Sequence, residues 1–457
     1  MRKSQSIQGR LMYKNSTNQL LKPVTAKIND KGNLEIGGCD TVELVEKYGS
    51  PLYVMDESTL RSVCRDYKAA FADYPKVNMM YASKALCTEA VSAILASEGF
   101  GFDVVSAGEI YTVYKAGVDM SKVLFNGNNK SFDELTLAIE LGVGRISVDN
   151  FLELTLLNEI AKSHGKIVDI LLRITPGIEC HTHEYIQTGH LDSKFGFDLT
   201  QIDDAVELIL TEYTNLKLHG LHAHIGSQIF ETKVYHDEIE ILVRELKRLD
   251  DKFGLKLDEI NIGGGLGVKY TEKDVPPSTF EIASVILNSL NKSIEKYKID
   301  SPALFLEPGR SIVSTAGVTL YTIGSSKQVP NGKKYVAVDG GMADNARPSM
   351  YQAEYSAIIA NKPNAQCVTN VTIAGRFCES GDVLIRNISL PDIEEGDVLC
   401  VFNTGAYNYS MASNYNRVQK SAMVLVNNSQ SDIIINRETL DDIISHDVIP
   451  DRLKGAC

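Results

Sequence analysis

Val77-Asn78-Met79-Met80-Tyr81-Ala82 is an apolar, β-type run, followed at once by Ser83-Lys84-Ala85. The same pattern returns at Phe102–Ser106, Val123–Asn126, Arg145–Val148, Ile167–Ile174, Leu218–His224, Glu259–Ile262 and Leu304–Glu307. Each run is rich in Val, Ile, Leu or aromatics and is bounded by Gly, Asn, Ser or Pro, as strands are. Longer stretches lie between them. Thr88–Glu98 and Ser106–Ala116 carry apolar residues at spacings of three and four, which predicts helices. Strands alternating with helices in this number imply an α/β fold, a (β/α)8 TIM barrel over residues 57–313.

Outward from the barrel the rhythm changes. Tyr335–Asp339, Cys367–Ala374, Asp382–Ile385, Asp397–Asn403 and Ala422–Val426 are short β-type runs separated by turn pairs such as Asn331-Gly332 and Glu395-Gly396. Few helical stretches intervene, so a second, mainly antiparallel β domain is expected. Leu34–Ile36 and Leu52–Val54 near the start read the same way. Residues 1–56 plus 314–457 are therefore assigned to a β-rich domain. At 457 residues the chain has room for both.

The formal net charge is −13 with no long Lys/Arg run, so nucleic acid is a poor partner. The N-terminal stretch Met1–Leu20 is polar and lacks the apolar centre of a signal peptide. No apolar stretch reaches the ~20 residues needed to cross a bilayer. The cysteines are scattered without a C-x-x-C pair, which reads as reduced thiols in a cytoplasmic enzyme.

Barrel chemistry gathers at the C-terminal ends of the strands, so the residues that follow each run matter most. Lys84 follows the first; a lysine in apolar company there can act as a Schiff-base nucleophile, although a lone lysine is more often a surface residue. Gly263-Gly264-Gly265-Leu266-Gly267 follows the seventh. Glycines let backbone N–H groups approach an anion, and loops after strands seven and eight are the usual phosphate site. Ser227 could add a hydroxyl. Glu307-Pro308-Gly309-Arg310 ends the eighth run, where a carboxylate could keep the nitrogen of a pyridine cofactor protonated. His222-Ala223-His224 ends the sixth; alternation would point both imidazoles the same way if the run stays extended. Taken singly, His224 is as easily a satisfied core residue.

These segments, with Cys378-Glu379-Ser380-Gly381-Asp382, resemble in order the alanine-racemase-like (fold-type III) pyridoxal-phosphate decarboxylases, and among them the diaminopimelate decarboxylase family. The likeness runs from about Pro51 to Ser421 and includes Glu184–Gly189 and Ser193–Gly196. It implies pyridoxal 5′-phosphate as cofactor, Lys84 as its lysine, His224 stacked on the ring and Glu307 at the pyridine nitrogen. It implies that Ser227, Gly264, Gly265, Arg310 and Tyr407 surround phosphate or substrate. It also implies that Cys378 and Glu379 serve a partner subunit's site, making a homodimer the functional unit. Asp103 and Arg173 would form an internal pair near Lys84. Cys378 or Lys84 would return a proton to Cα; the residues do not choose between them.

For substrate, the resemblance points to meso-diaminopimelate. Arg310 and Arg347 can each grip a carboxylate through a bidentate fork. Arg347 lies in Arg347-Pro348-Ser349-Met350-Tyr351, similar to the family's Arg-Pro-x-x-Tyr element, and Glu379 could take the distal ammonium. Carboxynorspermidine, ornithine and arginine are the alternatives on this fold. A metal-dependent barrel hydrolase using His222, His224, Cys180, His181, His183 and His190 is the rival class. It fits poorly, because its lysine and H-x-H fall after the wrong strands and the glycine run is left without a role.

Overall fold

A computed structural model describes residues 16–177, 193–330 and 332–454. It divides into two compact units: the described part of Met1–Val24 with Glu57–Ala316, and Thr25–Asp56 with the described part of Gly317–Cys457.

The first unit is a closed barrel of eight parallel strands: β1 (Val77–Ala82), β2 (Gly101–Val104), β3 (Val123–Phe125), β4 (Arg145–Val148), β5 (Val168–Thr175), β6 (Leu216–His222), β7 (Glu259–Asn261) and β8 (Ala303–Leu306). Each pairs with the next, and β8 closes on β1 with Leu306 opposite Met79. The strands are buried on both faces, which explains their unbroken apolar composition. Met80, Leu124, Leu171 and Phe305 pack together from β1, β3, β5 and β8. Strands β1, β3 and β5 are not neighbours, so this contact crosses the barrel interior. Each such side chain contributes about 1.5–3 kcal/mol by leaving water.

Helix starts after the strands are locked by side-chain caps. Thr88, Ser106 and Asn150 each accept an N–H from the first turn of their helix, from Val91, Glu109 and Glu153. Ser131 with Glu134 and Ser278 with Glu281 form complete capping boxes. Side chains at the strand ends are thereby held on rigid backbone.

One boundary departs from the sequence reading. Ser16–Val24 belongs with the barrel, not with the β-rich unit. Asp66 Oδ2 accepts bonds from the backbone N–H (3.1 Å) and hydroxyl (2.8 Å) of Thr17. The Asn18 amide donates to the carbonyls of Gly267 (3.0 Å) and Pro277 (2.9 Å).

The second unit is mainly β. Its main sheet runs in the order Val383–Leu390, Thr369–Ala374, Lys334–Val338, Gly317–Gln328, Leu52–Asp56, Ala422–Asn427 and Gln430–Ile435. Val398–Val401 also pairs with Gly317–Gln328, and Ala357–Ile359 pairs with Val398–Val401. Most pairings are antiparallel; Lys334–Val338 with Thr369–Ala374 and Leu52–Asp56 with Ala422–Asn427 are parallel. A small antiparallel sheet, Lys27–Ile28, Leu34–Ile36 and Cys39–Asp40, accompanies it. Among the described residues no helix is long and apolar enough to cross a membrane, and no disulfide is present.

Candidate functional site

Lys84 stands at the C-terminal end of β1, in a single 3-10 turn, Ser83–Ala85. Its neighbours Ser83 and Ala85 are buried while Lys84 is exposed. Its charge is felt by Asp103, Glu109, His222, His224 and Glu307, so those groups gather around it.

Glu307 follows β8 and is buried. Its Oε1 accepts from the amides of Asn261 (2.7 Å) and Asn126 (3.0 Å). Its Oε2 lies 3.6 Å from His222 Nε2. Burial works against an ionised carboxyl here. The His222 and His224 imidazoles and Lys84 outweigh it and hold Glu307 well below the usual carboxylate range. Asp103, at the end of β2, goes the other way: burial first and the Glu307 charge second push it far up. Asn126 links the two acids by donating also to Asp103 Oδ1 (2.7 Å).

His222 is the last residue of β6 and is buried, sharing a hydrogen bond with Ser147 Oγ through Nδ1 (2.8 Å). His224 lies beyond the strand and is half-buried. Its Nδ1 accepts the N–H of Gly264 (3.3 Å). Desolvation holds both imidazoles below their ordinary range, with Lys84 and Arg173 pushing His224 further down. Both rings are thus neutral near pH 7.

The glycine run is loop backbone. The next helix is Thr279–Tyr297. The loop is pinned to the segment after β6 by the Ile229–Leu266 bridge. Gly263 and Gly265 have φ of +60° and +103°, which favour glycine. A Cβ on Gly264 would sit 2.2 Å from the Glu307 carbonyl oxygen. Arg310 donates to Ser227 Oγ (3.3 and 3.0 Å) and to Tyr270 Oη (2.8 Å). A cation and a hydroxyl at the eighth and sixth strand ends, beside a side-chain-free loop, suit a phosphate. An ionised acid and neutral imidazoles suit a protonated pyridine. The residues therefore fit pyridoxal phosphate.

The expected Asp103–Arg173 pair is not formed. Among the described ion pairs Arg173 reaches Asp149 (4.0 Å), and its guanidinium lies over the Phe195 ring. Asp103 is held by Asn126 instead, which follows the neighbouring strand β3, whereas Arg173 lies on β5. Cys180, His181, His183, His190 and the Glu184–Gly189 segment lie outside the described residues. Among the described residues, His219, Asp258 and Glu259 bring metal-ligating atoms together. They lie toward the N-terminal ends of β6 and β7, where Arg145 already grips Glu259 at 2.7 and 3.0 Å.

The second unit gathers its own polar residues. Arg347–Tyr351 is a short helix with Pro348 in its first turn. Arg347 is buried and donates to Tyr355 Oη (2.8 Å), which donates to Asn408 Oδ1 (3.4 Å). Half-buried Tyr407, at φ +61°, precedes Asn408. Ser349 Oγ donates to the Gly381 carbonyl (2.9 Å), joining this helix to the loop that carries Cys378 and Glu379. Buried Asp382 shapes that loop by accepting the N–H groups of Met342 (2.7 Å) and Phe377 (2.8 Å). Cys378 and Glu379 are both exposed; Tyr351 is half-buried. Asn126, Asn261 and Ser147 were not among the site residues read from sequence. The one available signal was their place at strand ends: Asn126-Gly127 after β3, Asn261 two residues before the glycines, and Ser147 within β4.

Residues 58–314 match the family model described as the pyridoxal binding domain of pyridoxal-dependent decarboxylases. The chain is 51% identical to the diaminopimelate decarboxylase of Synechocystis sp., over 96% of this chain and 95% of that enzyme. It is 46% identical to that of Bacillus subtilis, over 93% and 97%. The crystal structure of diaminopimelate decarboxylase from M. jannaschii in complex with L-lysine superposes with a TM-score of 0.89. That match has 37% identity and covers 95% of this chain and all (100%) of that one.

Proposed function

The chain belongs to the diaminopimelate decarboxylase family of pyridoxal-dependent decarboxylases, and we propose that it converts meso-2,6-diaminopimelate to L-lysine and CO2. This would be the last step of lysine biosynthesis. The observation that carries the reading is Glu307, an acid held ionised in a buried setting beside a glycine loop and Arg310.

Pyridoxal phosphate, when bound, supplies an electron sink for the pair released as the Cα–carboxylate bond breaks. Lys84 would hold it through Nζ, and Glu307 would keep the pyridine nitrogen protonated. Arg310, Ser227, Gly264, Gly265 and Tyr407 would hold the phosphate, and His224 would present a neutral imidazole to the ring. Neutrality matters there, because a cation against a protonated ring would oppose the charge that Glu307 stabilises. Asp103, pushed upward by burial and by the Glu307 charge, favours its uncharged form and so competes less for the same proton.

Arg347, with Tyr351, would bind the distal carboxylate of the substrate, and Glu379 the distal ammonium. Arg347 is preorganised for this by Tyr355, which fixes one arm of its fork. A proton returns to Cα from Cys378 Sγ or Lys84 Nζ. The exposure of Cys378 and Glu379 supports a role toward a partner subunit, in a homodimer with shared sites, and scattered cysteines without a disulfide suit the cytoplasm.

The experiment is CO2 release from meso-diaminopimelate against ornithine, arginine and carboxynorspermidine. Turnover of meso-diaminopimelate with at least about a hundredfold higher kcat/KM than the others is expected. A preference for any of the three would move the substrate assignment while leaving the cofactor chemistry in place.

A further inference from the structure

Asn261 closes β7 and is fully buried. Its Oδ1 accepts the N–H of Gly263 (2.8 Å). A backbone N–H can only donate, so the amide oxygen is fixed on that side and the NH2 group on the other. That NH2 lies 2.7 Å from Glu307 Oε1. Oε1 must therefore be an acceptor, and a proton on it would face an N–H. Asn126 adds a second donor to the same oxygen (3.0 Å) and spends its other N–H on Asp103 Oδ1 (2.7 Å).

The same residue also joins two strand ends. The Glu307 N–H donates to the Gly263 carbonyl (2.7 Å), so backbone and side chain link Gly263 and Glu307 in both directions through Asn261. Gly263 opens the glycine loop at φ +60°. Moving the Asn261 amide would release the loop's first N–H and one donor to the carboxylate together.

We propose that Asn261 is a positioning residue for the reaction: its amide adds to the groups that keep Glu307 ionised and ties that carboxylate to the glycine loop. This rests on the decarboxylase reading above. A buried carboxylate needs donors that cannot themselves titrate, and an amide supplies them at every pH. The opposite direction taken by Asp103, which among the described residues has one amide donor, on Oδ1, fits this sorting.

Two substitutions separate the roles. Asn261→Asp keeps an acceptor for Gly263 but can donate to Glu307 only while it carries a proton. Asn261→Ala removes both links. The readouts are the pH dependence of the holoenzyme's visible absorbance, the rate of pyridoxal phosphate loss on dialysis, and kcat and KM for CO2 release.

For Asn261→Asp we expect kcat near the parent's on the acid side and a fall of about tenfold or more on the alkaline side. A matching ionisation should enter the absorbance curve. For Asn261→Ala we expect kcat lower by about tenfold across the range, cofactor loss about tenfold faster, and KM within about twofold of the parent. Parental absorbance and rate profiles in Asn261→Asp would overturn the proposal, even if Asn261→Ala failed to fold. A parent chain with no visible absorbance and no CO2 release would instead bring down the decarboxylase reading, and the proposal with it.

Discussion

The acids at the barrel's strand ends and the acid on the Cys378 loop live under opposite conditions. Glu307 and Asp103 are buried, bridged by Asn126 and pushed in opposite directions from the usual carboxylate range. Glu379 is exposed, and among the described residues its carboxylate accepts from the Ser380 hydroxyl (3.3 Å) and the Gly381 N–H (3.2 Å) of its own turn. Enclosure sets charge; exposure leaves a group ready to meet another molecule. On the proposed reading the first region would set the reaction type, and the second what is admitted to it. Substitutions in the two regions should fail differently, in kcat for the barrel and in KM for much of the loop.

The largest effect is expected at Glu307. Glu307→Gln keeps the shape but removes the negative charge from a water-poor site, and kcat should fall by about a thousandfold. The amides of Asn126 and Asn261 would then face an amide, so thermal melting should also fall. A variant with near-parental kcat would break the contrast at its source. Next is Cys378→Ala, where loss of a proton donor should lower kcat by about a hundredfold with little change in KM. An unchanged kcat would leave Lys84 as the donor to Cα and make the loop wholly a matter of substrate admission.

Arg347→Lys should act more gently. Lysine keeps the charge but not the fork that Tyr355 orients, so KM for meso-diaminopimelate should rise by about tenfold with kcat nearly intact. An equal loss in kcat would place Arg347 with the barrel groups.

The barrel was legible because its strands are buried on both faces and so read as unbroken apolar runs. Val77–Ala82 and Arg145–Val148 match to the residue, and the caps Thr88 and Ser106 mark their helices. The long strand Gly317–Gln328 is absent from the runs read above. Its second half, Gly324–Gln328, is exposed and lacks apolar residues, and its pairing is set by distant partners such as Leu52–Asp56. Lys84, Glu307 and Arg310 were legible from their places after strands. Asn126 was not, since an asparagine directly before a glycine usually signals a turn, and Asn261 was not, since it lies inside the run Glu259–Ile262. Their meaning depends on barrel closure bringing Glu307 to both amides, and Arg173 likewise meets Asp149 through spacing that no sequence pattern carries.

The smallest expected effect concerns stability in the second unit. Burial pushes Asp344 up to about 7, against hydrogen bonds from Tyr321 and Gly341. The folded state thus holds this proton more tightly than the unfolded one. Its contribution is full below about pH 4 and is lost as pH rises through about 7. Asp344→Asn should flatten that slope, narrowing the change in Tm between about pH 4 and about pH 8 by about 2–4 °C. An unaltered slope in thermal melts would show that Asp344 does not titrate with folding.

The central claim is that Lys84, at the end of the first barrel strand, carries pyridoxal phosphate for a decarboxylation. The direct measurement is the visible absorbance of the purified protein, before and after borohydride, in the parent and in Lys84→Ala, alongside CO2 release from meso-diaminopimelate. The account predicts absorbance that borohydride bleaches, and its absence together with loss of CO2 release in Lys84→Ala. A colourless parent that turns over only with an added divalent metal, or a Lys84→Ala variant that keeps both colour and activity, would contradict it.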